Sequence, residues 1–422
     1  MNAMIRSYWL LAAILVVLIA VGIGMAIYEQ RSPKSGKEGQ EPSAWTPLSL
    51  VTTFKSDPRT SRAFAWRTRG AEYGTVLQVV PAPNGGAASF DSSATLEFEG
   101  ESESIDTGDT GVQGVHKAEA TGLAAGTRYA YRVGDGEKEH WSEAYSFATE
   151  AEGTDEFTFI DVADSQGLTS EDFKVWGRTL DAAFGTFPDA SFFLHNGDLT
   201  EEAEEEAGWE ALFGEASRWA TSYPFMPVTG NNDEVDKKAD RFVSHFNLPD
   251  NGNKSNIAGT TYSFDYGLAH FIVLNTESKL KDQAKWLEED LRQTKATWII
   301  VALHRGPYGG NQDESVLERW VPLFDKYGVD LVLQGHNHEY SRSYSIKDGE
   351  IVPDGKGTVY VVPNASGTKL NEKKEDQFYH LVHFQNGKPM FAGIRVTGQA
   401  LTYQAYDADG KLLDEFTLEA RR

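Results

Sequence analysis

Five times between residues 157 and 338 an apolar, strand-forming run ends on Asp, Asn or His, and this repeated ending constrains the chain more than any other feature. Residues 157–163 stop at Asp164. Residues 191–194 lead through His195-Asn196-Gly197 to Asp198. Residues 224–229 lead into Gly230-Asn231-Asn232-Asp233. Residues 298–303 stop at His304, and residues 329–333 lead through Gln334-Gly335 to His336-Asn337-His338. Helix-like segments lie between these runs, which predicts a layered α/β domain over residues 156–420. Strand ends along one edge of such a sheet are where sites form. Carboxylates, an amide and imidazoles gathered there suit divalent cations such as zinc, manganese or iron. Their number is close to what two cations need when they sit about 3.5–4 Å apart across a bridging carboxylate. Gly197, Gly230 and Gly335 are expected to let the backbone turn sharply beside that edge.

Residues 48–150 read differently. Short β-forming runs such as 63–68 and 75–80 are separated by Gly, Pro, Asn and Asp, and about seven strands in 100 residues predict an immunoglobulin-like or fibronectin-like sandwich. No catalytic grouping is visible there. His116 and His140 are expected at the surface, since neither has a second ligand at metal spacing.

At the N-terminus, residues 8–28 carry no charge, and about 20 such residues span a bilayer as a helix. Tyr8, Trp9 and Tyr28 suit its two interfaces. Residues 1–30 therefore read as a signal anchor or transmembrane helix; cleavage near Gly24-Met25-Ala26 would instead release a secreted protein. A polar linker follows over residues 31–47. The net charge of −24 argues against nucleic acid as a partner. With no cysteine in the chain, disulfides, thiolate metal sites, cysteine nucleophiles and a lipoprotein cysteine are excluded.

The order of the five endings resembles the calcineurin-like metallophosphoesterases, and purple acid phosphatases among them. That pattern is an Asp motif, Gly-Asp, Gly-Asn-His-Asp/Glu, a His, then Gly-His-x-His. The N-terminal domain of purple acid phosphatases is similar to residues 57–68, 121–136 and 141–149. The likeness covers nearly all of residues 48–420. It implies a four-layer αββα sandwich, an acid-phosphatase-like hydrolase of small phosphate esters, and two metal ions, iron, zinc or manganese. By the resemblance Asp198 bridges the ions, Asp164 and His338 hold the first, and Asn231, His304 and His336 hold the second. It also implies that residues 357–361 and the strands from Phe391 to Leu418 close the second sheet, and that the protein crosses the cell membrane once with its catalytic domain on the extracytoplasmic side.

Three positions depart from the family pattern. Gln166 stands where a His is common, Glu201 where purple acid phosphatases have a ligating Tyr, and Asn232 where a His contacts the phosphate or leaving group. Gln166 and Glu201 are thus candidate additional ligands, although the acidic run 201–206 also reads as the first turns of a helix. Asn232 and Asp233 are the candidate catalytic residues beside the metals. Nucleotide or pyrophosphate hydrolysis is an alternative activity, and a weakened phosphoesterase fold that binds at the cell surface is an alternative of another class. His270 lies in a strand pattern and reads as structural. No role is assigned to His245, His380 or His383.

Overall fold

The computed structural model describes residues 43–82 and 89–421. Among the described residues no helix is long and apolar enough to cross a membrane. The expected anchor over residues 1–30 and most of the expected linker lie outside the described residues.

The N-terminal domain is a sandwich of two four-stranded antiparallel sheets, with eight strands where the sequence suggests seven. Strands Leu48–Thr53, Arg62–Thr68, Val112–Ala120 and Glu101–Asp106 form one sheet; Leu96–Glu99, Val76–Pro81, Arg128–Gly134 and Tyr145–Ala148 form the other. Phe64, Trp66, Leu77, Tyr131 and Phe147 pack between them. His116 is not at the surface. It pairs in register with Trp66, its ring stacks on that indole, and it is fully buried. Its two nitrogens each lie 2.8 Å from a hydroxyl, those of Thr68 and Thr75. Burial, aided by Arg67, pushes its pKa down to about 4, so it is a neutral core histidine. His140 is partly exposed, with Nδ1 2.7 Å from Asp135.

The C-terminal domain has two sheets face to face with helices outside each. The first runs Phe225–Pro227, Ala190–His195, Glu156–Val162, Met390–Thr397, Ala400–Asp407, Leu412–Glu419. The second runs Tyr262–Tyr266, Ala269–Leu274, Trp298–Leu303, Leu331–Leu333, Val359–Pro363, Tyr340–Ser343, His380–Phe384. Strand Trp298–Leu303 shows why both faces must be covered. Trp298, Ile300 and Ala302 enter the core between the sheets, while Ile299, Val301 and Leu303 meet Leu287, Leu291, Trp320 and Phe324 of the outer helices. On the first sheet, Phe173, Trp176, Leu180 and Phe184 of helix Ser170–Thr186 turn inward at helical spacing, behind a Thr169/Asp172 capping box.

The late strands correct one expectation. Val359–Pro363 joins the second sheet, but Met390–Thr397 pairs antiparallel with Glu156–Val162 and carries the last two strands into the first sheet. The acidic run is corrected too: the helix starts at Glu206, and residues 201–205 precede it. Glu206 is buried because it pairs with His245 at 3.1 Å and Arg67 at 3.4 Å, which ties the sandwich to the C-terminal domain.

His270 has a structural role, as its strand position implies. Its ring bridges Asp265 (2.6 Å) on the neighbouring strand and Asp290 (2.8 Å) on helix Leu280–Gln293. Burial lowers its pKa, but the two carboxylates outweigh burial and raise it from 6.5 to about 9. A raised folded-state pKa stabilises fully below the unfolded value and loses that contribution as pH rises through the folded one. Urea unfolding from pH 6 to 10 should therefore show wild type losing, relative to His270→Gln, up to about 3 kcal/mol between pH 6.5 and 9. Parallel pH profiles would remove this role.

Candidate metal centre

Strands Glu156–Val162, Ala190–His195 and Phe225–Pro227 run parallel in the first sheet, and Trp298–Leu303 and Leu331–Leu333 run parallel in the second. Their C-terminal ends bring the five sequence endings together. Asp198, His304 and His336 offer ligand atoms within 4.8 Å of one another, and so do Asp164, Asp198 and His338. Asp198 belongs to both groups.

The backbone makes this meeting possible. Gly197 turns at φ +91°, a conformation open to glycine. Gly230 has no such φ; its role is space, because a Cβ there would strike the Asp198 backbone nitrogen and carboxylate. The left-handed residues are instead the site residues themselves: Asp164 (φ +51°), Asp198 (+55°), His336 (+72°) and His338 (+51°).

Each ring is oriented by a partner. His304 Nδ1 donates to the Asn196 carbonyl at 2.8 Å, leaving Nε2 3.3 Å from Asp198 Oδ1 and 3.2 Å from Asn231 Oδ1. His338 Nδ1 donates to the Lys369 carbonyl at 2.7 Å, and its Nε2 is 3.2 Å from Asp164. Such outward N–H bonds fix the ring for a cation at the other nitrogen. Asn231 Nδ2 donates to Asn232 Oδ1 at 2.8 Å, which turns its oxygen inward. Burial, with His304 and Arg305, pushes His336 down to about 3, so its ring is neutral, with Nε2 facing the Arg305 guanidinium. Burial opposes ionisation of Asp198, but His304 and the Asn232 N–H, 2.8 Å away, bring its pKa to about 2.

The donor set fits cations. Asp164 and Asp198 are 0% and 2% exposed, and among the described residues they pair with His338 and His304, not with Lys or Arg. Buried carboxylates need a counter-charge, which the facing imidazoles carry only when protonated and which a metal ion would supply with the rings neutral. Gln166 reaches the same place: Nε2 lies 3.3 Å from His338 Nε2 and 3.4 Å from Asp198, and its buried Oε1 has no partner.

Two site expectations change. Glu201 turns away to Lys369, 2.8 Å off, and is in neither group. Asp233 is no proton donor to a substrate. It is 1% exposed and accepts the N–H groups of Asp198 (2.8 Å), Leu199 (3.0 Å) and Gly230 (2.8 Å), so it braces two strand-end loops together. Burial and then Asp198 push its carboxyl up to about 7. Asn232 is half-buried beside the two groups, and its Nδ2 is buried without a partner among the described residues. Sequence reasoning missed the Asn196 and Lys369 carbonyls and Arg305, whose Nη1 is 3.0 Å from His336 Nε2. Arg305 directly follows His304, which is a usable signal; the Lys369 carbonyl has none. A third grouping, Asp376, His380 and His383, is partly exposed. His380 already bonds the Gly309 carbonyl and the Gln377 N–H, and Asp376 bonds Lys373, so these residues support the loop at Gly309.

A two-sheet fold with paired Asp/His groups at its strand ends defines a class. Residues 164–340 match the calcineurin-like phosphoesterase family model, and residues 47–149 match the purple acid phosphatase N-terminal domain. Residues 164–340 thus carry a calcineurin-like phosphoesterase domain, and the chain is similar to purple acid phosphatases. An uncharacterized protein of Mycobacterium tuberculosis is 28% identical over 42% of this chain and 42% of its own length. The chain thus spans under half the length of that relative. Acid phosphatase type 7 of Mus musculus is 25% identical, covering 71% of this chain and 76% of the relative. In fold, a purple acid phosphatase from yellow lupin (Lupinus luteus) seeds superposes with TM-score 0.75 at 16% identity, over 89% of this chain and 74% of that one.

The brace gives a prediction. Asp233→Asn leaves one acceptor oxygen for three buried N–H donors, which should cost about 1–3 kcal/mol in urea unfolding of chelator-treated protein. An unchanged midpoint and slope would contradict it.

Proposed function

We propose that the chain hydrolyses phosphate esters at a two-cation centre. The observation that carries this reading is the sharing of Asp198 by both ligand groups. Asp198, Asp164 and His338, with Gln166 beside them, would hold one cation, and Asp198, Asn231, His304 and His336 would hold the other. Bound cations would supply Lewis acidity that polarises the phosphoryl group and acidifies water. The protein's part is orientation. The Asn196 and Lys369 carbonyls fix the rings, the Asn232 backbone N–H fixes Asp198, and Asp233 holds the two loops at one spacing. The overall step breaks the bond between phosphorus and the leaving oxygen and forms one to a water oxygen, with a water proton passing to the leaving group.

Asp198→Asn should lose both metals on dialysis and the turnover of an aryl phosphate with them. The exposed Lys411→Ala serves as control, because His116 is a core residue. Metal analysis showing two ions retained, or activity retained, in Asp198→Asn would remove the shared-carboxylate reading.

Asn232 sets the leaving-group preference. Its free Nδ2 can donate a hydrogen bond to a departing oxygen but cannot give up a proton at neutral pH. A His there can, and general acid help is worth about 10²–10⁴ in rate. Asp233 does not substitute, since its carboxylate is occupied by backbone N–H groups. Rates plotted against leaving-group pKa should fall steeply in wild type and less steeply in Asn232→His, with alkyl esters gaining most. Equal slopes in the two proteins would refute this account.

A further inference from the structure

Resting on that phosphoesterase reading, the geometry points to a second anion subsite: we infer that the substrate's leaving group carries its own phosphate or carboxylate, seated in the cavity beyond Arg305. The cavity, about 510 Å³, adjoins a smaller one of about 130 Å³ that reaches His336, and Arg305 and Asp313 line both. The larger volume suits a group the size of a sugar phosphate. Arg305 sits between metal centre and cavity. Its Nε is held by both Glu277 oxygens, at 3.0 and 3.2 Å, and its Nη1 faces His336 Nε2. A guanidinium anchored at one edge presents its remaining N–H donors in a fixed plane, which is how arginine grips oxyanions.

The charge around the cavity is unlike that of the whole. The chain has 39 basic and 63 acidic residues, yet the cavity is lined by Lys279, Lys281, Arg305 and Arg319 against Glu277, Asp282 and Asp313. Two of those three carboxylates are committed. Glu277 binds Arg305, and Asp313 caps helix Glu314–Arg319 by accepting the Val316 N–H at 2.9 Å. Arg319 keeps a 3.8 Å pair with Glu318, outside the cavity lining. Helix Leu280–Gln293 also begins here without a side-chain cap, so its positive end adds to the field. In a protein of net charge −24, a basic cavity opening toward the metal centre selects an anionic leaving group over a neutral or cationic one.

The test compares glucose 1,6-bisphosphate with glucose 1-phosphate, which share the reacting phosphate, on the metal-loaded full chain. Glucuronic acid 1-phosphate distinguishes a carboxylate from a phosphate as the second anion. The expected result is kcat/KM about tenfold or more higher for either anionic leaving group, mostly through KM. The preference should shrink about tenfold in Lys281→Ala/Arg319→Ala and persist in Lys411→Ala. Calorimetry gives a readout apart from turnover: chelator-treated wild type should bind glucose 1,6-bisphosphate about tenfold more tightly than the double variant. Equal kcat/KM for all three esters, with turnover intact, overturns the subsite and leaves the phosphoesterase reading standing. No turnover of any ester by metal-loaded protein removes that reading and the subsite with it.

Discussion

The buried carboxylate of Asp233 is the constraint on which the centre depends. Three backbone N–H groups from two separate strand ends converge on it, and they bring the Asp198 loop against the Gly230-Asn231 loop. The contact is close enough that Gly230 has no room for a side chain. With these loops locked, Asp198 Oδ1 takes the Asn232 N–H and faces His304 across from the second sheet. The centre therefore spans the two sheets, and its spacing is set by how the sheets pack. That packing is aromatic and dense: Phe159 stacks on Phe192 within one sheet, and both meet Phe271 of the other edge-on at 5.2 and 5.4 Å. Tightly packed interiors resist small displacements, so the ligand spacing inherits their stiffness.

The sandwich domain is attached by a buried polar cluster rather than by a linker alone. Arg67 from the sandwich meets Ser244 at 2.7 Å and Glu206 at 3.4 Å, and His245 closes on Glu206 at 3.1 Å, all buried. A buried charge pair adds little net stability over apolar packing, but removing one partner strands the other. Such a cluster fixes orientation more than it adds energy. Here it fixes the helix that begins at Glu206, which packs against helix Ser170–Thr186 behind the first sheet.

How much was legible follows from how local each feature is. Asp198, Asn231, His304 and His336 each stand within four residues of a buried strand's end, and the pattern of apolar run followed by polar ligand is written in consecutive residues. The two-sheet fold was legible for the same reason, through runs such as 298–303 that are apolar on both faces. Pairing partners were not. The alternation in residues 390–397 announces a strand but says nothing of whether Glu156–Val162 or the second sheet receives it. His116 looks like any polar residue in a short strand; only its register opposite Trp66 buries it. Asp233 could be read as a catalytic acid from its place after Asn232, because the three N–H groups that occupy it come from the fold rather than from its neighbours. Glu201 was ambiguous because its partner, Lys369, lies 168 residues away.

The backbone strain at the site explains why these residue types, and not others, end the strands. Asp164, Asp198, His336 and His338 all adopt left-handed φ values. Glycine would take that conformation without penalty but would bring no ligand. Among residues with a side chain, Asp, Asn and His enter this region more readily than bulky or β-branched ones. Each residue held there costs on the order of 1–3 kcal/mol and persists only where the surroundings over-determine it. The surroundings here do so: the His336 N–H is bonded to both oxygens of Asp164 at 3.0 Å, and the Asp198 N–H is bonded to Asp233. The turn that lets a strand end expose its ligand and the turn that a short polar side chain tolerates are the same turn. At three of the five strand endings the conformational requirement and the chemical requirement therefore select the same few amino acids, while Asn231 and His304 are chosen by chemistry alone.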